Sequence, residues 1–196
     1  MGYNTRMRLK PVIFFTIVAL LAGLAIYQEI QNPGPTLQGS VAPDFELKNA
    51  EGEIVRLSDF KGDLVFLNFW ATWCEPCIRE LPAMMTMEET FAGRPFTMLG
   101  ISVDTSWEQV EGYLEEHGFA LNTVLDPGQR VKQEYRVTGF PETFLIDGDG
   151  VVLKKYIGPW PWDDSRMLAE VEALIERVEA DPGSGQTIGS NDTSGD

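Results

Sequence analysis

Cysteine, histidine and positive charge are the scarce commodities of this 196-residue chain. Its two cysteines fall in one unit, Cys74-Glu75-Pro76-Cys77, which excludes a secreted scaffold stapled by several bridges along its length. A zinc site needs about four ligands, and with His117 as the single histidine the count falls short, so no metal is expected. The two cysteines therefore pair with each other or react. Of the 15 basic residues, Arg6, Arg8 and Lys10 precede residue 28, which leaves twelve against all 30 acids beyond it. That balance excludes a nucleic-acid partner, whose affinity rests on Lys and Arg neutralising phosphates. The excess acid reads first as a solubilising surface and second as a means of steering a basic substrate segment.

The first 28 residues lack acid altogether. Residues 1–10 form a basic segment, and residues 12–27 are an uncharged apolar run. Sixteen helical residues reach about 24 Å, slightly under a hydrocarbon core of about 30 Å, a mismatch that snorkelling flanks or local thinning absorbs. An uncleaved transmembrane signal-anchor over 11–28 is expected, in preference to a cleaved signal peptide. The basic side stays in the cytoplasm, which places the rest on the extracytoplasmic, periplasmic side. Residues 29–40, with Pro33 and Pro35, read as a linker, and 181–196, rich in Gly, Ser, Asp and Thr, as a disordered tail. The folded unit is then 41–180, and no internal repeat is visible in it.

Its elements alternate. Phe45–Lys48 and Ile54–Leu57 flank an Asn-Ala-Glu-Gly turn and predict an N-terminal hairpin. Leu64–Trp70 is apolar apart from Asn68, the pattern of a central strand covered on both faces. Residues 75–91 predict a helix kinked at Pro82, Phe96–Val103 a second buried strand, and Trp107–His117 a helix closed by Gly118. A strand near 122–125 and a helix near 129–135 follow. Thr143–Asp147 and Val151–Tyr156, joined by Gly148-Asp149-Gly150, form a hairpin. Asp163–Glu179 ends the unit as a helix whose apolar face is Leu168, Val171, Leu174, Ile175 and Val178. The whole predicts an α/β fold with a mixed central sheet flanked by helices.

The cysteine unit sits where a buried strand feeds a helix. Unpaired backbone N–H groups and the helix dipole favour an anion there, so a thiolate at Cys74 is stabilised. Pro76 is tolerated in the first turn, where no donor is missed. Cys77, one turn on, is placed to attack a mixed disulfide on Cys74, which makes Cys74 the nucleophile and Cys77 the resolving thiol. A passive disulfide is the bland alternative, but so small a loop removes little unfolded-state entropy. No cofactor is expected beyond this redox-active pair.

Asn68-Phe69-Trp70-Ala71-Thr72-Trp73-Cys74-Glu75-Pro76-Cys77, followed by Glu80-Leu81-Pro82, resembles the membrane-anchored thioredoxin-like family of the TlpA, ResA and CcmG type. Val41-Ala42-Pro43-Asp44-Phe45, Leu57-Ser58-Asp59-Phe60-Lys61-Gly62 and Gly139-Phe140-Pro141-Glu142-Thr143-Phe144 agree with the same family. The resemblance implies a thioredoxin-like fold with a helix-and-strand insertion within 104–136. It implies a cis-proline at Pro141 facing the disulfide, with the Phe140 backbone open to an extended substrate. Trp73, Glu75, Pro76 and Phe140 are the substrate-contacting candidates. Glu80 resembles an acid that tunes the cysteines in ResA-like members, or else is an exposed helix carboxylate. Plain thioredoxin carries a buried Asp where this chain has Asn68, and an amide takes no proton, so acid–base help for Cys77 must come from Glu80 or Glu75. Glu142 looks CcmG-like and Glu75 ResA-like, so the subfamily stays open.

Trp107, Trp160 and Trp162 read as packing before recognition, and Met84, Met85 and Met87 as core before a copper site. Two rival readings lack their motifs in this chain. A peroxiredoxin-like peroxidase needs Pro-x-x-x-Thr/Ser-x-x-Cys, and Leu67 and Ala71 occupy those positions. A non-enzymatic Sco-like copper chaperone needs Cys-x-x-x-Cys and a later histidine. The resemblance implies instead a thiol:disulfide oxidoreductase acting on protein thiols and disulfides, such as apocytochrome c, as a reductant supplied by a membrane electron-donor protein.

Overall fold

The computed structural model describes residues 37–180 and, in a separate N-terminal unit, residues 14, 15, 18 and 20, which are helical. Among the described residues no helix is long and apolar enough to cross a membrane. The signal-anchor over 11–28 lies outside them apart from those four positions, as do the basic segment, residues 29–36 of the linker and the tail over 181–196. Leu37–Ser40, expected in the linker, belong to the folded unit: the Gly39 N–H donates to the Val152 carbonyl at 2.8 Å and the Ser40 carbonyl accepts from Val152 at 3.0 Å.

Seven strands form one mixed sheet in the order β2-β1-β5-β4-β3-β6-β7. They are β1 (Glu46–Lys48), β2 (Ile54–Arg56), β3 (Leu64–Trp70), β4 (Phe96–Ser102), β5 (Thr123–Leu125), β6 (Glu142–Ile146) and β7 (Val152–Ile157). The helices are α1 (Glu75–Thr90), α2 (Trp107–His117), the short α3 (Arg130–Glu134) and α4 (Ser165–Ala180). β3 lies between parallel β4 and antiparallel β6, which is why every one of its residues is buried and why it reads as a continuous apolar run. Its side chains alternate between two cores. Leu64, Phe66 and Trp70 pack with α1, α4 and Trp162, whereas Val65, Leu67 and Phe69 pack with Phe45, Val131, Tyr135 and Phe144.

Local chemistry sets the ends. Gly118 closes α2 in the left-handed conformation at φ 69°, and the Phe119 N–H reaches back to the Leu114 carbonyl at 2.9 Å. α2, β5 and α3 make up the insertion expected within 104–136. β2 ends one residue earlier than expected, because Leu57 opens a 3-10 turn over Leu57–Phe60 whose Asp59 carboxylate accepts from the Arg56 N–H at 2.8 Å. α4 starts at Ser165 and buries Met167 more deeply than Leu168. α1 runs through Pro82 as one helix.

Candidate active site

The C-terminal end of β3 delivers the chain through Ala71-Thr72-Trp73 to Cys74, which caps α1. Cys74 is extended (φ −90°, ψ 94°), and its Sγ accepts from the Cys77 N–H at 3.3 Å. One otherwise orphaned donor of the helix N-terminus is therefore already aimed at sulfur, the arrangement that stabilises a thiolate. Cys74 and Cys77 are joined by a disulfide with their Cα atoms 5.3 Å apart. Cys74 retains 6% exposure and Cys77 1%, so access is unequal and favours attack at Cys74. Pro76 occupies the first turn. Glu75 is exposed, and its carboxylate meets Arg79 at 3.4 Å.

Trp73 is 64% exposed and sets its ring edge-to-face on Phe140, with centroids 5.7 Å apart. The Phe140–Pro141 peptide bond is cis, as the resemblance implied. The Lys132 ammonium lies 5.1 Å over the Phe140 ring, and the Gly158 N–H donates to the Pro141 carbonyl at 2.9 Å. An aromatic rim thus borders the disulfide, with the cis-proline loop pinned on β7's exit. Glu142, next in the chain, is fully buried. Its Oε1 accepts from the Thr138 N–H at 3.0 Å, the Thr138 hydroxyl at 2.7 Å and the Gly139 N–H at 3.3 Å, and its Oε2 pairs with Lys155 at 2.7 Å. This carboxylate fixes the loop that carries Phe140 and Pro141.

Glu80 is no exposed helix carboxylate: it is 3% exposed. Its Oε1 accepts from Asn68 Nδ2 at 3.0 Å, and its Oε2 accepts from the Trp160 N–H and from Trp162 Nε1, both at 3.1 Å. Burial is the largest influence and pushes its pKa up to about 7, against the three donors, which pull it down. A carboxyl group titrating near neutrality one turn beyond Cys77 is equipped to exchange a proton at working pH.

Trp162 is fully buried in the core on Phe66, with centroids 4.7 Å apart, whereas Trp160 keeps 39% exposure, and both bind Glu80. The Gly-Pro-Trp-Pro-Trp stretch is therefore packing and site at once, a role its sequence does not announce. Met84 and Met87 are fully buried in the core and Met85 packs against it. Asp104, two residues beyond the end of β4, also belongs to the site without a signature in the sequence. Its buried carboxylate accepts from the Thr72 N–H at 2.9 Å, the Thr72 hydroxyl at 2.8 Å and the Ser102 hydroxyl at 2.8 Å. It thereby fixes the turn that presents Trp73 and Cys74. No motif marks Asp104 in advance; only its place just beyond a buried strand hints at it.

The chain matches the model of the AhpC/TSA family over residues 38–155. It is 36% identical over 171 residues to the thiol-disulfide oxidoreductase ResA of Geobacillus thermodenitrificans, covering 87% of this chain and 98% of that protein. To the thiol-disulfide oxidoreductase ResA of Bacillus subtilis it is 34% identical over 159 residues, 81% of this chain and 88% of the other. Among solved structures, a thiol:disulfide interchange protein from Bacteroides sp. superposes with a TM-score of 0.63 at 30% identity, covering 76% of this chain and 93% of that one.

Proposed function

The chain belongs to the AhpC/TSA family, as one of its thioredoxin-like thiol-disulfide oxidoreductases, and from that membership we propose that it works as a reductant of extracytoplasmic protein disulfides. Apocytochrome c is the substrate class put forward, on the family resemblance of the motifs around Cys74 and Cys77. The apolar stretch over 11–28 anchors the enzyme with its amino terminus inside, and a membrane electron-donor protein returns it to the dithiol form.

In this reading Cys74 attacks as a thiolate. Its sulfur forms a bond to one sulfur of the target disulfide, and the other target sulfur leaves as a thiolate. Cys77 then gives its thiol proton to the Glu80 carboxylate and attacks Cys74 Sγ. The mixed disulfide breaks, the second target thiolate departs, and the Cys74–Cys77 bond forms. Two electrons have passed to the target, and the proton on Glu80 leaves to solvent or follows the departing thiolate. Trp73 and Phe140 supply the apolar contact for the approaching segment, Pro76 shapes the first turn beneath it, and Glu75 and the cis-proline loop flank it.

The observation that supports this reading most is the buried Glu80 carboxyl, poised near neutrality behind the less accessible of the two cysteines. The test is the reduction potential of the pair, equilibrated against glutathione and dithiothreitol, together with the pH dependence of thiol alkylation. A potential near or below about −270 mV supports the reductant, whereas one near about −120 mV reverses the direction of electron flow.

A further inference from the structure

Every hydrogen-bond partner of the Glu80 carboxyl among the described residues is a donor. Trp160 offers a backbone N–H, Trp162 an indole N–H and Asn68 an amide N–H. Three donors suit a carboxylate, but the protonated acid also needs an acceptor for its own hydrogen. Backbone and indole N–H groups cannot become acceptors. An Asn amide can, by turning over about its last side-chain bond, which exchanges Oδ1 for Nδ2.

Asn68 is built for that exchange. It is fully buried, and its Oδ1 has no hydrogen-bond partner among the described residues, a costly arrangement for a buried carbonyl. Its Nδ2 makes a second bond, to the Thr143 hydroxyl at 2.9 Å, and Thr143 is itself 1% exposed on the neighbouring strand. A hydroxyl accepts or donates equally well, so Thr143 follows either orientation of the amide. The other charged groups on the open side of Glu80 are Arg79, which pairs with Glu75, and Asp163. Neither is bonded to Glu80.

We propose that Asn68 is a positioning residue that matches Glu80 to its proton. Its amide donates from Nδ2 to the Glu80 carboxylate in one state and, turned over, accepts at Oδ1 from the Glu80 carboxylic acid in the other, while the Thr143 hydroxyl changes from acceptor to donor. The exchange is two bonds for two, and the unpartnered atom changes from Oδ1 to Nδ2. The inference rests on the reading of Glu80 as the proton acceptor for Cys77 and extends it: the amide that replaces thioredoxin's buried acid does not take the proton but makes room for it.

The test is Asn68→Leu in the disulfide form, with the Glu80 carboxyl followed by carbon-13 NMR and stability measured at pH 5 and pH 9. A two-way partner is lost by both protonation states. The Glu80 midpoint then moves by less than about half a pH unit, and stability falls equally at both pH values. A midpoint rise of about one unit or more, with the stability loss confined to pH 9, makes Asn68 a fixed donor and overturns the proposal. Should the variant not fold, the Asn68 side-chain amide signals of the unsubstituted protein decide. Turning predicts that they shift through the Glu80 midpoint and that Glu80→Gln, which offers a permanent donor, holds them at their low-pH position. Signals unmoved across that midpoint overturn the proposal. Failure of the underlying reading looks different: Glu80→Gln would then leave the Cys77 titration unchanged, whatever Asn68 does.

Discussion

Glu80 should make this enzyme lose stability as the pH rises toward neutrality, and Glu80→Gln should remove that loss. The folded protein holds the Glu80 proton to about pH 7, whereas an unfolded chain releases it near the ordinary value of 4.5. A group whose folded pKa is raised stabilises fully below its unfolded pKa, and that contribution is lost as the pH climbs through the folded value. A gap of about 2.5 units, at about 1.36 kcal/mol each, amounts to roughly 3 kcal/mol between pH 4.5 and pH 8. At 3% exposure little solvent screening reduces that figure. The assay is guanidinium unfolding of the disulfide form at intervals from pH 4.5 to pH 8.5, for the native sequence and Glu80→Gln. Groups held below their usual values, Asp164, Glu170 and Glu179, lose their contributions only at more acid pH. Glu88, raised by burial, is present in both proteins and cancels in the difference. The native protein should fall by about 3 kcal/mol relative to the variant across the window. Parallel curves would refute the reasoning, because they would mean that the buried carboxyl does not titrate there.

Three other perturbations are specific. Cys77→Ser should leave a reduced Cys74 that captures a disulfide-containing peptide as a stable mixed disulfide, visible by intact mass; rapid release of both thiol products would contradict the resolving role. Lys155→Met strands the buried Glu142 carboxylate, whose Oε2 it neutralises at 2.7 Å, and should cost about 3–5 kcal/mol in denaturant unfolding. The same variant should weaken turnover of a protein disulfide more than that of a small dithiol-reactive probe, because Glu142 fixes the loop of Phe140 and Pro141. Gly100→Ala places a Cβ 2.8 Å from Trp70 Nε1 and 3.0 Å from Leu121 Cδ2, and overpacking there should cost about 1–3 kcal/mol. An unchanged unfolding midpoint would show that the Trp70 ring yields without cost.

The fold was legible wherever burial on two faces or a turn left its mark on composition. β3 and β4 could be read because a strand covered on both sides has no room for polar alternation, and α2 because Gly118 supplies the left-handed residue that closes it. The less legible parts are those whose identity depends on distant partners. Leu37–Ser40 looked like linker because nothing local distinguishes a polar, Pro-flanked stretch from one hydrogen-bonded to Val152. Met167 and Leu168 are adjacent apolar residues, and only the position of the sheet beneath α4 decides which turns inward.

For the site, sequence carried the reacting atoms and left out what controls them. A Cys-x-x-Cys at a strand-to-helix junction follows from spacing alone, because the chemistry needs two sulfurs one turn apart at a helix N-terminus. Whether Glu80 is a buried carboxyl or a solvated side chain turns on residues 80 and 82 positions away: without Trp160 and Trp162 across its helix face, the carboxyl would lie in water and titrate as any other glutamate. The same holds for Asp104 and Glu142, two buried acids hydrogen-bonded to the segments on either side of the disulfide. Each carboxylate accepts two or more donors from one loop, Asp104 from Thr72 and Glu142 from Thr138 and Gly139, so removing the acid loosens that loop where removing a donor loses a single bond. In the proposed mechanism control is therefore concentrated in three buried carboxyls, with Glu80 as the one that exchanges protons and Asp104 and Glu142 as the two that hold the flanking segments still.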